Sequence, residues 1–343
     1  MDKRIRAVIV VQLGRLGDVI ATRVAFASLK AHDPMIRVAA VVQEAYGELL
    51  HFDPCVDSVY LYRRVRGLAA FAAVAGLIGE LRRFGADILL DVTGTPRSRY
   101  ICLGYGRRRC AGWGRPWLYA TRTRERRRRE ENYGREVARL LGLLGLDAIV
   151  TPPPLAAPAG SAALIRAAAS WGPAPRVVIH PGASNTLRQW PIERFAALAD
   201  HFCSSGVSVV LLGGPDDQAT VRRIAATCRQ PPPTYLTDSV VDLMAALAAG
   251  NAFVGLDSGP LHVATALGLP AVALYGPSTA YRSAPLHGSV SEVSVDLPCR
   301  PCAQVPGACE RPTDSCMRRI QVSDVLEATL RLLERERSTC RKL

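Results

Sequence analysis

Residues 251–277 read NAFVGLDSGPLHVATALGLPAVALYGP, and they decide the fold. Ala252 to Leu256 is an apolar run that suits a buried strand. Asp257, Ser258 and Gly259 make a sharp turn. Pro260 stands where a helix's first residue is expected, with Ser258 or Gly259 as N-cap. The helix is predicted to run to about Leu267 and to end at Gly268 as a left-handed residue. Pro270 bars continuation, and Ala271 to Tyr275 is the next strand. Such a strand–helix–strand unit leaves backbone N–H groups free at the helix start, which favours anions, phosphate above all. The plain alternative is an ordinary crossover with a tidy turn.

Upstream of this unit the same alternation recurs. Arg176 to His180 is predicted as a strand, followed by the loop Pro181 to Thr186 and a helix over Pro191 to Cys203. Val207 to Leu212 is a strand and Gln218 to Thr227 a helix; a short strand at Thr234 to Leu236 and a helix over Val240 to Ala248 follow. The N-terminal half repeats the theme. Its strands are predicted at Ala7–Val11, Val38–Val42, Val56–Leu61 and Asp87–Asp91, with helices over Val19–Ala31, Tyr46–Leu50 and Leu68–Phe84. Alternating strands and helices predict parallel, doubly wound α/β sheets. In such sheets ligands gather beyond the carboxyl ends of the strands, where Gly14–Asp18 and Thr93–Thr95 fall. Thr151 to Gly160, TPPPLAAPAG, reads as a linker. Two domains of this kind imply a cleft, where small-molecule sites concentrate.

The chain's 343 residues suffice for two domains, and 49% hydrophobic content supports a sizeable core. The formal charge of +13 points to an acidic partner, although an arginine-rich proteome would give the same balance. Ten arginines and one acid fall between Arg107 and Arg129, with Trp113, Trp117 and Tyr119 interleaved. This stretch reads either as a solvated loop or as a landing surface for an anionic acceptor or membrane. No recognisable nucleic-acid module surrounds it, so nucleic acid is not expected as a partner. The start of the chain has no apolar signal-peptide core, and no apolar stretch approaches the roughly 20 residues of a spanning helix. The expected location is cytoplasmic, with a peripheral contact at the inner membrane. The cysteines are then expected to be reduced unless they bind metal.

Several residues carry candidate chemistry. Asp18 follows a glycine-spaced turn after the first strand. It suits either a helix cap or a general base. Ser184, Asn185 and Thr186 lie at a strand's carboxyl end, and the planar fork of Arg188 suits a diphosphate. His262 could face phosphate or core, and Asp257 could orient sugar hydroxyls or merely brace its turn. No Asp-x-Asp pair is present to hold a divalent ion on a nucleotide sugar. A mechanism without metal is therefore expected, with a helix N-terminus and a cation stabilising the leaving diphosphate. Cys299, Cys302, Cys309 and Cys316 form C-x2-C-x6-C-x6-C. They suit structural zinc, an iron–sulfur cluster, or simply reduced thiols holding a loop.

Together these motifs resemble glycosyltransferase family 9, the ADP-heptose:lipopolysaccharide heptosyltransferases. RAVIVVQLGRLGDVIAT resembles that family's N-terminal signature, and IHPGASNTLRQWPIERFAALAD resembles its second-domain signature. VVLLGGPDD, VGLDSGPLHVATALGLPAVALYGPS and the CRPC…CMRRIQVSDVLEA tail match further blocks. The resemblance implies a GT-B fold, two Rossmann-like domains facing across a cleft. Residues 1–160 would bind the acceptor; residues 161–343, with the cysteine-rich tail, would bind the nucleotide-sugar donor. It implies inverting transfer of heptose from ADP-heptose to a hydroxyl of the lipopolysaccharide inner core or a related glycan, with no cofactor needed. Asp18 would be the base. Thr186 and Arg188 would take the phosphate positions, with backbone N–H groups near Ser258, Gly259, Pro260 and Leu261. Asp257 would contact the donor sugar, His262 would lie beside it, and Asp216 would reach the ribose. Arg188 replaces the family's usual lysine, Ala21 a common histidine and Val24 a usual proline. The alternatives are a GT-B nucleotide-sugar epimerase or hydrolase, or a non-catalytic sugar-nucleotide binding protein.

Overall fold

The structure is a computed structural model. It describes residues 5–113, 119, 121–123, 131–142, 144–149, 151–160, 162–302, 309 and 313–340. The chain divides into two compact units, Met1–Ala156 and Ala157–Leu343.

In the first unit β1 (Ala7–Gln12), α1 (Leu16–His32), β2 (Arg37–Gln43), the short α2 (Glu44–Gly47) and β3 (Ser58–Tyr62) come in order. They are followed by α3 (Leu68–Phe84), β4 (Ile88–Asp91), α4 (Pro96–Tyr105), β5 (Cys110–Trp113), β6 (Thr121–Thr123) and α5 (Tyr133–Gly142). The strands form a parallel sheet in the order β3-β2-β1-β4-β5-β6. Val8 to Val11 are fully buried on both faces, which explains why β1 is a continuous apolar run and not an alternating one.

The second unit opens with α6 (Ala162–Ala169), β7 (Arg176–His180), α7 (Ile192–Ser204), β8 (Ser208–Gly213), α8 (Gln218–Thr227), β9 (Thr234–Leu236) and α9 (Val240–Ala248). Then come β10 (Ala252–Leu256), α10 (Gly259–Ala266), β11 (Ala271–Tyr275), α11 (Ala280–Ser283), β12 (Val290–Ser294), α12 (Cys316–Arg319) and α13 (Val322–Cys340). This sheet is also parallel, in the order β12-β11-β10-β7-β8-β9. Val325, Leu332 and Leu333 of α13 join the core beneath β10 and β11. Burying one such side chain contributes about 1.5–3 kcal/mol.

In both sheets the order in which strands are added therefore reverses once, between β1 and β4 in the first unit and between β7 and β10 in the second. Those are the topological switch points where an α/β sheet of this order binds ligands. The glycine and proline punctuation of the opening stretch is seen directly: α10 has proline in its first turn, and Gly268 has φ of 85°.

Two expectations need correction. The helix after β1 starts at Leu16, so Asp18 lies inside its first turn and not before it. The described aromatic residues of the basic stretch, Trp113 and Tyr119, do not present a surface. Trp113 ends β5 and Tyr119 packs in the core of the first unit, 7% and 2% exposed. Burial of those rings outweighs any role as a stacking platform. Arg107, Arg108 and Arg109 do form an exposed turn, while Trp117 and the arginines at 115, 124 and 126–129 lie outside the described residues.

Candidate functional site

The first unit's switch point holds Asp18. Its Oδ2 accepts the Arg15 N–H at 3.0 Å, so the carboxylate does cap its own helix. The side chain remains half-exposed, and one oxygen's work as a cap leaves the other available. The loop beneath it is held by side chains. Gln12 Oε1 accepts the Gly14 N–H at 2.7 Å, and Gln12 Nε2 donates to Thr22 Oγ1 at 2.9 Å. Thr22 in turn donates to the Asp18 carbonyl at 2.8 Å. Gln43 Nε2 donates to the carbonyls of Leu13 at 2.9 Å and Gly14 at 2.6 Å, and Thr93 Oγ1 accepts the Leu13 N–H at 2.8 Å. A Cβ on Gly14 would fall 2.4 Å from Asp18 Oδ2 and 2.9 Å from Asp18 Cβ, so any side chain there must displace the carboxylate.

Asp91, at the end of β4, anchors the neighbouring loop. It is fully buried and accepts from the N–H groups of Thr93 and Gly94 at 3.0 and 2.9 Å. Its other oxygen accepts from Ser98 Oγ at 2.8 Å and Tyr119 Oη at 2.7 Å. Burial pushes its carboxyl up, and those four hydrogen bonds pull against the rise. Sequence reasoning took Asp91 only as the end of a strand and missed Gln12 and Gln43. The available signal was a polar residue closing each of three apolar strands.

The second unit's switch point gathers the remaining candidates. Thr186 and Arg188 lie in a short 3-10 turn after β7, begun by Asn185, whose Oδ1 accepts the Leu187 N–H at 3.0 Å. Arg188 Nη1 reaches across to β10's loop, 3.1 Å from Asp257 Oδ2 and 3.0 Å from the Asp257 carbonyl. The Arg188 side chain is 25% exposed and the Asp257 side chain only 5%. A buried carboxylate of this kind requires its cation. Ser258 sits at the N-cap of α10, yet its hydroxyl makes no cap bond and has no hydrogen-bond partner among the described residues. Gly259 and Pro260 are half-exposed at the helix start, Leu261 is core and His262 is half-buried in the first turn. Leu261 thus offers only its backbone. The first backbone N–H groups of α10 and the guanidinium of Arg188 give this end of β10 a positive character suited to phosphate.

Asp216 is exposed in the turn after β8. Its neighbour Asp217 is the one tied inward, with Oδ2 3.3 Å from His180 Nε2 and accepting the Gly214 N–H at 2.9 Å. Burial would raise the Asp217 carboxyl, but the hydrogen bond and charge of His180 and the Gly214 N–H outweigh it and hold it below the usual range. This pair locks the loop after β8 to the end of β7.

The four clustered cysteines are free thiols; Cys299 is exposed and Cys302, Cys309 and Cys316 are half-buried. Burial pushes the Cys316 thiol up, and Cys302 and Cys309 add to the rise. Among the described residues no three His, Cys, Asp or Glu side chains are arranged to hold a metal. Among those residues, too, no helix is long and apolar enough to cross a membrane.

Comparison with known proteins follows the same lines. The family model "Glycosyltransferase family 9 (heptosyltransferase)" matches residues 74–310, well over half of the chain. The chain is similar to lipopolysaccharide heptosyltransferase 3 of Escherichia coli, 26% identical over 279 residues covering 76% of this chain and 80% of that one. It is also similar to lipopolysaccharide heptosyltransferase 1 of Pseudomonas aeruginosa, 26% identical over 318 residues covering 86% and 85%. A glycosyl transferase family 9 structure from Veillonella parvula superposes with a TM-score of 0.82 at 21% identity, covering 96% of this chain and 97% of that one. E. coli ADP-heptose LPS heptosyltransferase II gives 0.75 at 22% identity, covering 96% and 99%. The fold is accordingly that of the GT-B transferases, two Rossmann-like domains. The chain belongs to glycosyltransferase family 9, the heptosyltransferase family, and is a glycosyltransferase.

Proposed function

We propose that this enzyme moves a heptose from ADP-heptose to an acceptor hydroxyl of the lipopolysaccharide inner core or a related anionic glycan, with inversion at the anomeric carbon. The observation that carries the proposal is the Arg188–Asp257 pair beside the N-terminus of α10, at the switch point of the second sheet. In this reading residues 161–343 hold the donor and residues 1–160 the acceptor. Arg188, Thr186 and the backbone N–H groups at the start of α10 bind the diphosphate. Asp257 meets the sugar, His262 lies beside it, and Asp216 reaches the ribose.

The chemistry balances without a further reactant. The bond between the anomeric carbon and the β-phosphate oxygen breaks, and its electron pair leaves with ADP. The acceptor oxygen attacks from the opposite face and forms the new glycosidic bond. Its proton passes to the Asp18 carboxylate. Arg188 and the α10 terminus offset the charge that grows on the departing diphosphate. Arg107–Arg109 suit an anionic acceptor and a peripheral place at the inner membrane. Structural zinc or an iron–sulfur cluster at Cys299, Cys302, Cys309 and Cys316 is tested by metal analysis of protein purified without oxygen. No step of the reaction runs through it.

A single-turnover incubation with ADP-heptose and an inner-core acceptor tests the proposal. Mass spectrometry is expected to show one added heptose per ADP released. ADP released with no gain on any acceptor sinks transfer in favour of hydrolysis, and an isomerised donor sinks it in favour of epimerisation.

A further inference from the structure

The end of β11 and the turn after it carry buried hydroxyls that find no hydrogen-bond partner among the described residues. β10 and β11 pair in register, Leu256 beside Leu274, so Asp257 and Tyr275 leave neighbouring strands side by side on one face. Tyr275 is fully buried, yet its phenol hydroxyl has no hydrogen-bond partner among the described residues. Burial pushes that phenol up, Asp257 adds to the rise and Arg188 opposes it, so the ring lies within the field of the Arg188–Asp257 pair. Ser278, 5% exposed, likewise has an unpartnered hydroxyl, as does Ser258 across the turn. Three buried hydroxyls without partners among the described residues, grouped at the carboxyl ends of two adjacent strands, are costly unless a ligand or ordered water completes them.

The turn is not loose. Arg300, between Cys299 and Cys302, turns its guanidinium onto it. Nη2 donates to the carbonyls of Tyr275 at 3.1 Å and Ser278 at 3.0 Å, and the other nitrogens reach the carbonyls of Gly276 and Val295. The Cys302 N–H donates to the Pro277 carbonyl at 3.1 Å. Gly276 admits the tail closely: a Cβ there would lie 2.3 Å from Met317 Sδ and 3.2 Å from Cys316 Sγ. The cysteine-bearing tail therefore braces the turn beside these hydroxyls.

We propose that Tyr275 and Ser278 bind hydroxyl groups of the donor's sugar, and that Arg300 is the positioning residue that holds their turn. The inference rests on the second unit being the donor half. It gives the tail a role that needs no metal. It also names side chains that set sugar specificity, because a site built to bond a hydroxyl rejects an analogue that lacks it.

The test separates sugar from nucleotide. Binding of ADP and of ADP-heptose is measured by calorimetry, and transfer by steady-state kinetics, for wild type, Tyr275→Phe, Ser278→Ala, Arg300→Ala and Arg300→Lys. Tyr275→Phe and Ser278→Ala are expected to weaken ADP-heptose about 10-fold or more while ADP binds as before. Tyr275→Phe without ligand should melt no lower than wild type, since it removes an unsatisfied group. Arg300→Ala should raise the KM for ADP-heptose more than it lowers kcat, and Arg300→Lys should recover part of the loss. Equal weakening of ADP and ADP-heptose, or unchanged ADP-heptose binding, overturns the assignment. A wild-type protein that binds neither ligand overturns the donor half along with it.

Discussion

The Gly14–Asp18 loop follows β1 and the Asp257–Pro260 loop follows β10; each flanks the switch point of its own sheet, and the two sheets share one strand order. The two loops are finished in opposite ways. Around Asp18 the described polar groups of the loop are bonded: Gln12, Gln43 and Thr93 hold its backbone, and Asp18 itself caps the helix. Around Asp257 the hydroxyls of Ser258, Tyr275 and Ser278 are left without partners among the described residues, and a buried carboxylate depends on one arginine. A base must be aimed before its substrate arrives, so its support is built from protein. A ligand cradle keeps valences open, so its support is completed by what it binds.

Substitutions can break this contrast, and the largest effect is expected at Asp18. Asp18→Asn keeps an oxygen to accept the Arg15 N–H, so the melting temperature should stay near wild type. Transfer should fall about 10²–10⁴-fold while ADP-heptose binding is retained, read by single-turnover kinetics beside calorimetry. Transfer near the wild-type rate removes Asp18 as the base. Arg188→Ala should cost about 10²–10³ in kcat, through lost charge stabilisation, and should weaken ADP binding as well because Asp257 is stranded. Arg188→Lys should recover only part, since one ammonium cannot serve the carboxylate, the carbonyl and a diphosphate in the same geometry.

Gly14→Ala sharpens the contrast from the other side. The added methyl must displace the Asp18 carboxylate, at a strain of about 1–3 kcal/mol. The expected result is a fall in kcat of roughly 10–100-fold with ADP affinity unchanged. A matching loss of ADP affinity would show that the two loops are not separable in function. The smallest effect concerns the loop after β8. Asp217 is held below the ordinary carboxylate range, so its contribution to stability is present above the unfolded value of about 3.9 and is lost as pH falls through its folded value. Asp217→Asn should flatten the decline in melting temperature below about pH 4 and leave the profile near neutrality alone. An unchanged acid decline would assign it to other carboxylates.

Much of the architecture was legible where the sequence uses glycine and proline as punctuation. The Asp257–Pro260 turn, the left-handed Gly268 and the strands flanking α10 follow from local chemistry. The alternating pattern also yields two parallel sheets. Short elements were not legible: β5, β6 and β12 have three to five residues each and lie in polar or arginine-rich stretches, where no period can be counted. The start of α1 was missed because Asp18 reads as a loop residue until its carboxylate is seen folded back on Arg15. Partners distant in sequence were beyond reach. Nothing local says that Gln43 clamps Gly14, that Arg300 grips Tyr275 and Ser278, or that Asp217 rather than Asp216 pairs with His180. Those contacts join loops brought together only by sheet order. The exposed-surface reading of Trp113 and Tyr119 failed for the same reason, since the core that covers them comes from other elements.

The stereochemistry of the product tests the central claim most directly. If Asp18 activates the acceptor for one displacement while the second unit holds the leaving diphosphate, nuclear magnetic resonance of the purified product will show the anomeric configuration inverted relative to ADP-heptose. A product of retained configuration would require a second displacement or front-face attack, and would contradict Asp18 as the base of a single displacement.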